Sequence, residues 1–176
     1  MKNFLIYNIS LVFLMLIGMN VNAPQDTLRF MSKDLLEIGS VAPDFQLYSA
    51  DNELIKLSDF QGKVVLLDFW YVGCKPCIKA YKDIDSLKQV LGKNQFEILG
   101  MNPINRKAQI NRYIQKYQYN ERTVLCSEEI EQAYKIRAYP CVYLIDKQGK
   151  IVFASAGYYQ DFASLLAEAI RKANEK

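Results

Sequence analysis

The chain has 176 residues, of which 51% are hydrophobic and 23% charged, so its composition is that of one folded domain rather than a disordered or fibrous polymer. Its 22 basic and 19 acidic residues leave a formal net charge of +3, which argues against a nucleic-acid partner. The chain contains no histidine, and this excludes Ser-His and Cys-His catalytic pairs and the commonest zinc ligand. Any chemistry therefore depends on Cys, Asp, Glu, Lys or Tyr side chains.

Residues 1–23 differ from the remainder of the chain. Lys2 precedes an apolar run from Phe4 to Met19, and Val21-Asn22-Ala23 has the small-residue pattern of a signal-peptidase site. Pro24 would follow the scissile bond directly, where its rigid ring hinders cleavage. The segment is therefore predicted to be a signal peptide or an uncleaved membrane anchor, and both place the domain outside the cytoplasm, in a periplasmic or other extracytoplasmic compartment.

Strand and helix patterns alternate along the remainder of the chain, after a lead-in segment at 24–38. Continuous or alternating apolar runs predict strands at 45–48, 54–57, 63–69, 96–100, 123–126, 141–145 and 151–154. Apolar residues at helical spacing predict helices at 77–91 and 110–117, and further helices that begin after Ser127 and Asp161. Strands that alternate with helices and end in a hairpin indicate an α/β sandwich whose mixed sheet is parallel in its middle and antiparallel at one side.

Two of the predicted elements carry a specific expectation about burial. The strand at 63–69 is apolar without alternation, so we expect it to be central and covered on both faces. The helix at 110–117 presents one face that we expect to pack in the core, made of Ile110, Tyr113, Ile114 and Tyr117.

Two cysteines lie at the predicted junction between the central strand and the following helix, in the run Cys74-Lys75-Pro76-Cys77. At the start of a helix, unpaired backbone N–H groups and the positive end of the helix dipole stabilise a thiolate, and Lys75 adds a positive charge. Cys74 is therefore the predicted nucleophile. Cys77, one turn further and facing the core, is the predicted resolving thiol that attacks a mixed disulfide and releases the reduced partner.

Asp68 interrupts the apolar central strand six residues before Cys74. A buried carboxylate is unfavourable, so we expect its pKa to be raised by desolvation. Such a carboxyl group can accept the proton of Cys77 when that thiol must attack, a general-base role that no histidine can fill here. The alternative is an edge-strand Asp paired with a Lys.

The remaining cysteines, Cys126 and Cys141, allow a second interpretation. They could complete a zinc site with Cys74 and Cys77, but they have no paired spacing of their own, and a lone Cys-x-x-Cys beside a strand–helix unit favours redox chemistry. We expect Cys126 and Cys141 to be free, mostly buried thiols rather than a second disulfide.

These residues resemble the thioredoxin superfamily, and within it the exported proteins of the TlpA and ResA type in the AhpC/TSA-Redoxin-like branch. The resemblance spans most of residues 39–172. It rests on Ala42-Pro43-Asp44-Phe45, residues 57–63, Asp68-Phe69-Trp70, Cys74-Lys75-Pro76-Cys77 and Tyr139-Pro140. It implies a thioredoxin-like three-layer sandwich at 39–176 with an N-terminal strand extension and a helix–strand unit inserted at 103–127.

The resemblance also implies a substrate-binding surface. Tyr139-Pro140 resembles the family's cis-proline, whose loop packs against the active-site disulfide and pairs with the substrate chain. The residues implied to lie at the substrate are Trp70, Lys75, Pro76, Tyr139 and Pro140. Three positions depart from the family pattern: Gly73 stands where Trp is usual, Ala80 where several ResA-like proteins carry Glu, and Cys141 where Thr is usual. Asp68 is thereby left as the evident proton acceptor.

The predicted function is thiol–disulfide exchange with cysteine-containing exported proteins. The resemblance implies that it acts as a reductant whose electrons come from a membrane donor. No nucleotide-binding glycine pattern is present, so we expect no cofactor beyond a redox-active Cys74–Cys77 disulfide, and no metal. One alternative is a peroxiredoxin-like thiol peroxidase, which the run at Ala42 also resembles, although the Pro and Thr that frame a peroxidatic cysteine are missing before Cys74. Another is a non-catalytic binding module that presents its cis-proline groove to a partner.

Overall fold

The protein is described by a computed structural model that covers residues 34–92 and 94–175. The predicted export segment at 1–23 and most of the lead-in lie outside the described residues. The elements are β1 (Gln46–Tyr48), β2 (Leu54–Lys56), a 3₁₀ helix (Leu57–Phe60), β3 (Val65–Phe69), α1 (Lys75–Leu91), β4 (Glu97–Asn102), α2 (Lys107–Tyr117), β5 (Arg122–Leu125), α3 (Glu128–Ala133), β6 (Cys141–Ile145), β7 (Ile151–Ala156) and α4 (Phe162–Glu175). Within these ranges, no helix is long and apolar enough to cross a membrane.

The central sheet has five strands in the order β5-β4-β3-β6-β7. β3 pairs with β4, and β4 with β5, in parallel, whereas the β3–β6 and β6–β7 pairs are antiparallel. β1 and β2 form a separate antiparallel pair. This is the predicted mixed sheet, with its closing hairpin and its N-terminal strand extension. Every residue of β3 is buried, as its unbroken apolar run predicts.

Alternate residues of β3 contribute to the two faces of the sheet. Leu67 and Phe69 point into the core beneath β1, β2 and Tyr134, the residue that follows α3. Leu66 points to the opposite face, where it packs in one cluster with residues of α1 and α4. The sheet is therefore the middle of three layers, and the carboxyl end of β3 leads directly into α1.

One burial prediction is wrong. Tyr117 is 52% exposed, although it continues the apolar spacing of Ile110 and Tyr113. It lies in the last turn of α2, and its ring contacts Tyr113 with the centroids 4.6 Å apart. Tyr119, beyond the end of the helix, occupies the core position instead, where its ring stacks on that of Tyr81 with centroids 3.7 Å apart.

Candidate active site

The turn between β3 and α1 brings Cys74 and Cys77 together. α1 begins at Lys75, with Cys74 as its N-cap and Pro76 in its first turn, where a missing N–H costs nothing. Gly73 has a φ of +91°, a backbone conformation that favours glycine. Cys74 and Cys77 form a disulfide with their Cα atoms 5.2 Å apart. The backbone N–H of Cys77 donates to Cys74 Sγ at 3.2 Å.

Two asparagines hold this turn against the end of β4. The N–H of Val72 donates to Asn105 Oδ1 at 2.7 Å, and the N–H of Asn105 donates to Asn102 Oδ1 at 2.9 Å. The sequence analysis did not identify either asparagine as part of the site. A polar residue at the end of an otherwise apolar strand was the available signal for Asn102. No sequence pattern indicated Asn105, because Val72, whose N–H it accepts, lies on a different strand–helix connection.

The disulfide is almost completely covered. Cys74 is 2% exposed and Cys77 1%. Tyr71 and Tyr139 pack against the cluster that contains the two sulfurs, and their rings meet edge to face with centroids 5.4 Å apart. Little of either cysteine is therefore accessible in this oxidised form, and two tyrosines lie beside the pair.

The loop before β6 completes this side of the site. The Tyr139–Pro140 peptide bond is cis, as expected from the resemblance. Pro140 carbonyl oxygen accepts from the N–H of Gly157 at 2.7 Å, and the Tyr139 hydroxyl donates to Glu131. The cis-proline is thus anchored to β7 and to α3 rather than held by the disulfide alone.

The other two thiols do not join the pair. Cys126 is half-buried, Cys141 is buried, and neither forms a disulfide. They follow β5 and begin β6, strands that β4 and β3 separate in the sheet. Burial raises the pKa of Cys141 to about 12 and also raises the pKa of Cys126. Both thiols are therefore protonated at neutral pH. The part of the chain that the structure describes holds no cluster of three or more His, Cys, Asp or Glu side chains suited to a metal.

Asp68 lies on the face of β3 that is covered by α1. Its side chain is completely buried, and neither carboxyl oxygen has a hydrogen-bond partner among the described residues. Desolvation by burial raises the pKa of Asp68 from its ordinary value of 3.8 to about 7. The predicted central position and the predicted direction of the pKa shift are both found, and no Lys among residues 34–92 and 94–175 is paired with this carboxyl group.

A second buried acid, Glu121, was missed by the sequence analysis. It directly precedes β5, and both of its carboxyl oxygens are inaccessible and without a partner among the described residues. Burial raises the pKa of Glu121 well above its ordinary value of 4.5, and the nearby Asp68 raises it further. A single glutamate beside a short strand gives no sequence signal of burial, because its cover is supplied by residues distant in the chain.

Thiol–disulfide oxidoreductases of thioredoxin fold are defined by a disulfide beside a cis-proline. The disulfide lies at the first turn of the helix that follows a central strand. The model of the AhpC/TSA family matches residues 38–154, and the chain belongs to that family. Proteins named thiol-disulfide oxidoreductase ResA are similar to it. The one from Geobacillus thermodenitrificans is 31% identical over 123 residues, which cover 69% of this chain and 71% of that protein. The one from Bacillus subtilis is 30% identical over 129 residues, covering 73% and 72%.

A solved structure supports the same class. The thioredoxin domain of a thiol-disulfide oxidoreductase from Bacteroides vulgatus is 27% identical, with a TM-score of 0.66, and the match covers 77% of this chain and 99% of that one. With its bonded Cys74–Cys77 pair, the chain is a ResA-like thiol–disulfide oxidoreductase.

Proposed function

We propose that this protein reduces disulfide bonds of exported, cysteine-containing proteins, with Cys74 as nucleophile and Cys77 as resolving thiol. The observation that carries the proposal is the position of Cys74: its sulfur is bonded to Cys77 and accepts a backbone N–H at the first turn of α1. That N–H and the helix dipole stabilise negative charge on the sulfur once the disulfide is reduced. The exposed Lys75 adds a smaller attraction of the same sign.

The first step forms a mixed disulfide. The Cys74 thiolate attacks one sulfur of the substrate disulfide, a Cys74–substrate bond forms, and the other substrate sulfur leaves as a thiolate that takes a proton from solvent. Cys77 remains a thiol at this stage. It lies one helical turn away on the buried side of α1, within bonding reach of Cys74.

The second step needs a base, and we assign this role to Asp68. The Cys77 thiol gives its proton to the Asp68 carboxylate, its sulfur attacks Cys74, and the second substrate thiolate leaves. The Cys74–Cys77 disulfide is thereby restored, so the protein loses two electrons and the substrate gains them. A carboxyl with a pKa of about 7 is matched to proton transfer near neutral pH.

The substrate is proposed to lie along the cis-proline loop, over Tyr71, Lys75, Pro76 and Tyr139, with the buried Pro140 beneath it. Extended peptides pair readily with exposed backbone beside such a loop, and the two tyrosines offer apolar surface with polar edges. Trp70 belongs to the same region but is only 1% exposed. In this proposal it supports the disulfide from below rather than contacting substrate.

Export by residues 1–23 is the second part of the proposal, together with reduction of Cys74–Cys77 by a membrane electron donor. It rests on the apolar run from Phe4 to Met19 and on the small residues before Pro24. Fusion of residues 1–45 to a reporter enzyme that is active only outside the cytoplasm should give activity. Replacement of Leu14 by Arg should abolish the reporter activity, which would show that export depends on the apolar run. If the fusion with the unaltered segment is inactive, the segment does not direct export.

The enzymatic proposal is tested by insulin disulfide reduction with single cysteine variants. We expect Cys74→Ser to abolish turnover and Cys77→Ser to accumulate mixed disulfides with substrate proteins, because the resolving thiol is lost. Cys126→Ser, which alters a thiol outside the pair, should retain the wild-type rate. Unchanged insulin reduction by Cys74→Ser would refute the proposal, and rapid peroxide turnover by Cys77→Ser would favour a thiol peroxidase instead.

A further inference from the structure

Three buried polar side chains meet above Gly100 in β4. A Cβ atom at this glycine would lie 2.9 Å from Glu121 Oε2, 2.9 Å from Trp70 Nε1 and 3.4 Å from Thr123 Oγ1. None of these three polar atoms has a hydrogen-bond partner among residues 34–92 and 94–175. Because Gly100 has no side chain, these polar groups approach the strand backbone more closely than a larger residue would allow.

The strand register places Asp68 beside these three side chains. Asp68 pairs with Gly100 in the parallel β3–β4 ladder, and Gly100 pairs with Thr123 in the β4–β5 ladder. Neighbouring strands lie about 4.8 Å apart, and paired residues point to the same face. The carboxyl of Glu121, which lies over Gly100, is therefore next to that of Asp68, whose oxygens are also unpartnered among the described residues.

Two carboxyl groups so close together in a buried site cannot both be ionised without a large energetic penalty. The titratable groups near Glu121 include Tyr81, Asp85 and Lys88 from α1, and Tyr119 from the segment before β5. Asp51, Glu53 and Arg122 line a surface cavity together with Glu121. Of the two cations, Lys88 is opposed by Asp85, and Arg122 is paired with Glu53. The surroundings therefore do not supply enough positive charge to hold two carboxylates.

We propose that Asp68 and Glu121 form a buried acid pair that shares one proton over Gly100, and that Glu121 is thereby a positioning residue for the base. The inference deepens the proposed function, since it rests on Asp68 as the proton acceptor for Cys77.

The acid pair accounts for the proton that Cys77 gives up in the second step of the reaction. Before the second step it holds one proton and one negative charge, with the charge on Asp68. The Cys77 proton moves to Asp68 as the Cys77–Cys74 bond forms and the Cys74–substrate bond breaks, so the pair then holds two protons. One proton leaves through Glu121 to solvent in the surface cavity that Tyr81, Asp85 and Lys88 line with it, and the departing substrate thiolate takes a proton from solvent.

The decisive measurement is a pH titration of the side-chain carboxyl carbons of Asp68 and Glu121 by NMR, in oxidised protein. We expect both resonances to respond in two shared steps that are separated by more than about one pH unit, as interacting groups do. In Glu121→Gln, which keeps a hydrogen-bond donor but cannot ionise, Asp68 should titrate in one step. If the Glu121 resonance titrates in a single step near the ordinary pKa of glutamate, the proposal is wrong. This measurement uses wild-type protein, so it does not depend on a variant that folds.

A kinetic measurement connects the pair to the reaction. In wild type, the pH dependence of the rate of mixed-disulfide resolution should show two ionisations of the pair, and in Glu121→Gln it should show one. At pH 7 the rate of the variant should differ from that of wild type by less than about threefold, because the amide mimics the protonated acid. Glu97→Gln removes the same charge from β4 at a partly exposed position paired with Lys63, and it should keep the wild-type profile. If Glu121→Gln also keeps that profile, Glu121 has no part in the proton transfer, while insulin reduction through Cys74 would still support the proposed function.

Discussion

The buried carboxyl of Asp68 links stability to activity. It has no hydrogen-bond partner among the described residues, and its pKa in the folded protein is about 7 against an ordinary value of 3.8. The folded state therefore binds this proton more tightly than the unfolded chain. The contribution of Asp68 to the free energy of unfolding is greatest below about pH 4 and is lost as the pH rises to about 7. The ionised Asp68 carboxylate, which is the form that acts as a base, therefore lowers the stability of the folded protein at neutral pH.

Asp68→Asn should consequently stabilise the protein at pH 8 and inactivate it. Three pH units between the two pKa values correspond to about 4 kcal/mol, the expected upper limit of the gain at pH 8, and the gain should nearly vanish at pH 4. The rate of mixed-disulfide resolution should fall about 100-fold or more. Denaturant unfolding at both pH values measures the first effect, with the exposed Asp51→Asn as control. Equal stability of wild type and Asp68→Asn at pH 8 would contradict the raised pKa.

At the scale of elements, the start of α1 determines the reactivity of Cys74. The N-cap position places the sulfur among backbone N–H groups, of which that of Cys77 lies 3.2 Å away. Gly73 turns the chain into this position, and Asn105 holds Val72 just before it. Because the backbone supplies the main stabilisation, the neighbouring charge of Lys75 is a secondary contribution.

Lys75→Gln should therefore lower the alkylation rate of reduced Cys74 at pH 7 only by about two- to fivefold, the range expected from 0.3–1 kcal/mol for one exposed charge at a helix end. The effect should shrink with added salt. Lys82→Gln, the same change at an exposed position further along α1, should leave the rate unaltered. A loss of tenfold or more in Lys75→Gln would show that the lysine, and not the helix start, holds the thiolate.

At the scale of the whole molecule, β3 joins the two halves of the core. Leu66 packs against the α1 and α4 layer, and Leu67 against the layer of β1 and β2, with no exposed surface on either side chain. The same strand carries Asp68 and leads to the disulfide. Loss of packing on one face of the sheet should therefore be transmitted to the other face and to the site.

Leu66→Ala is expected to lower the free energy of unfolding by about 2–5 kcal/mol, as for other buried leucines. Unfolding should remain one transition, with far-ultraviolet circular dichroism and tyrosine fluorescence changing together. Leu54→Ala on β2, where the leucine is 42% exposed, should cost much less. Two separated transitions in Leu66→Ala would show that the layers unfold independently.

The order of strands and helices, the central place of β3 and the reactive pair were predictable because each depends on local pattern. Unbroken apolar residues indicate a strand buried on both faces, and Cys74 and Cys77 are neighbours on one helical turn wherever that helix lies. The raised pKa of Asp68 followed from the same reasoning, since a lone acid within such a strand has no water around it.

Other features depend on which segments the fold brings together, and a one-dimensional pattern does not contain that information. Tyr119 rather than Tyr117 packs in the core, because α2 ends at Tyr117 and the chain beyond the helix brings Tyr119 into the aromatic cluster. Glu121 becomes a neighbour of Asp68 only because β4 lies between β3 and β5 and has no side chain at Gly100. Spacing along the chain identifies the sulfurs, whereas the proton-binding groups around them are set by strand order and packing.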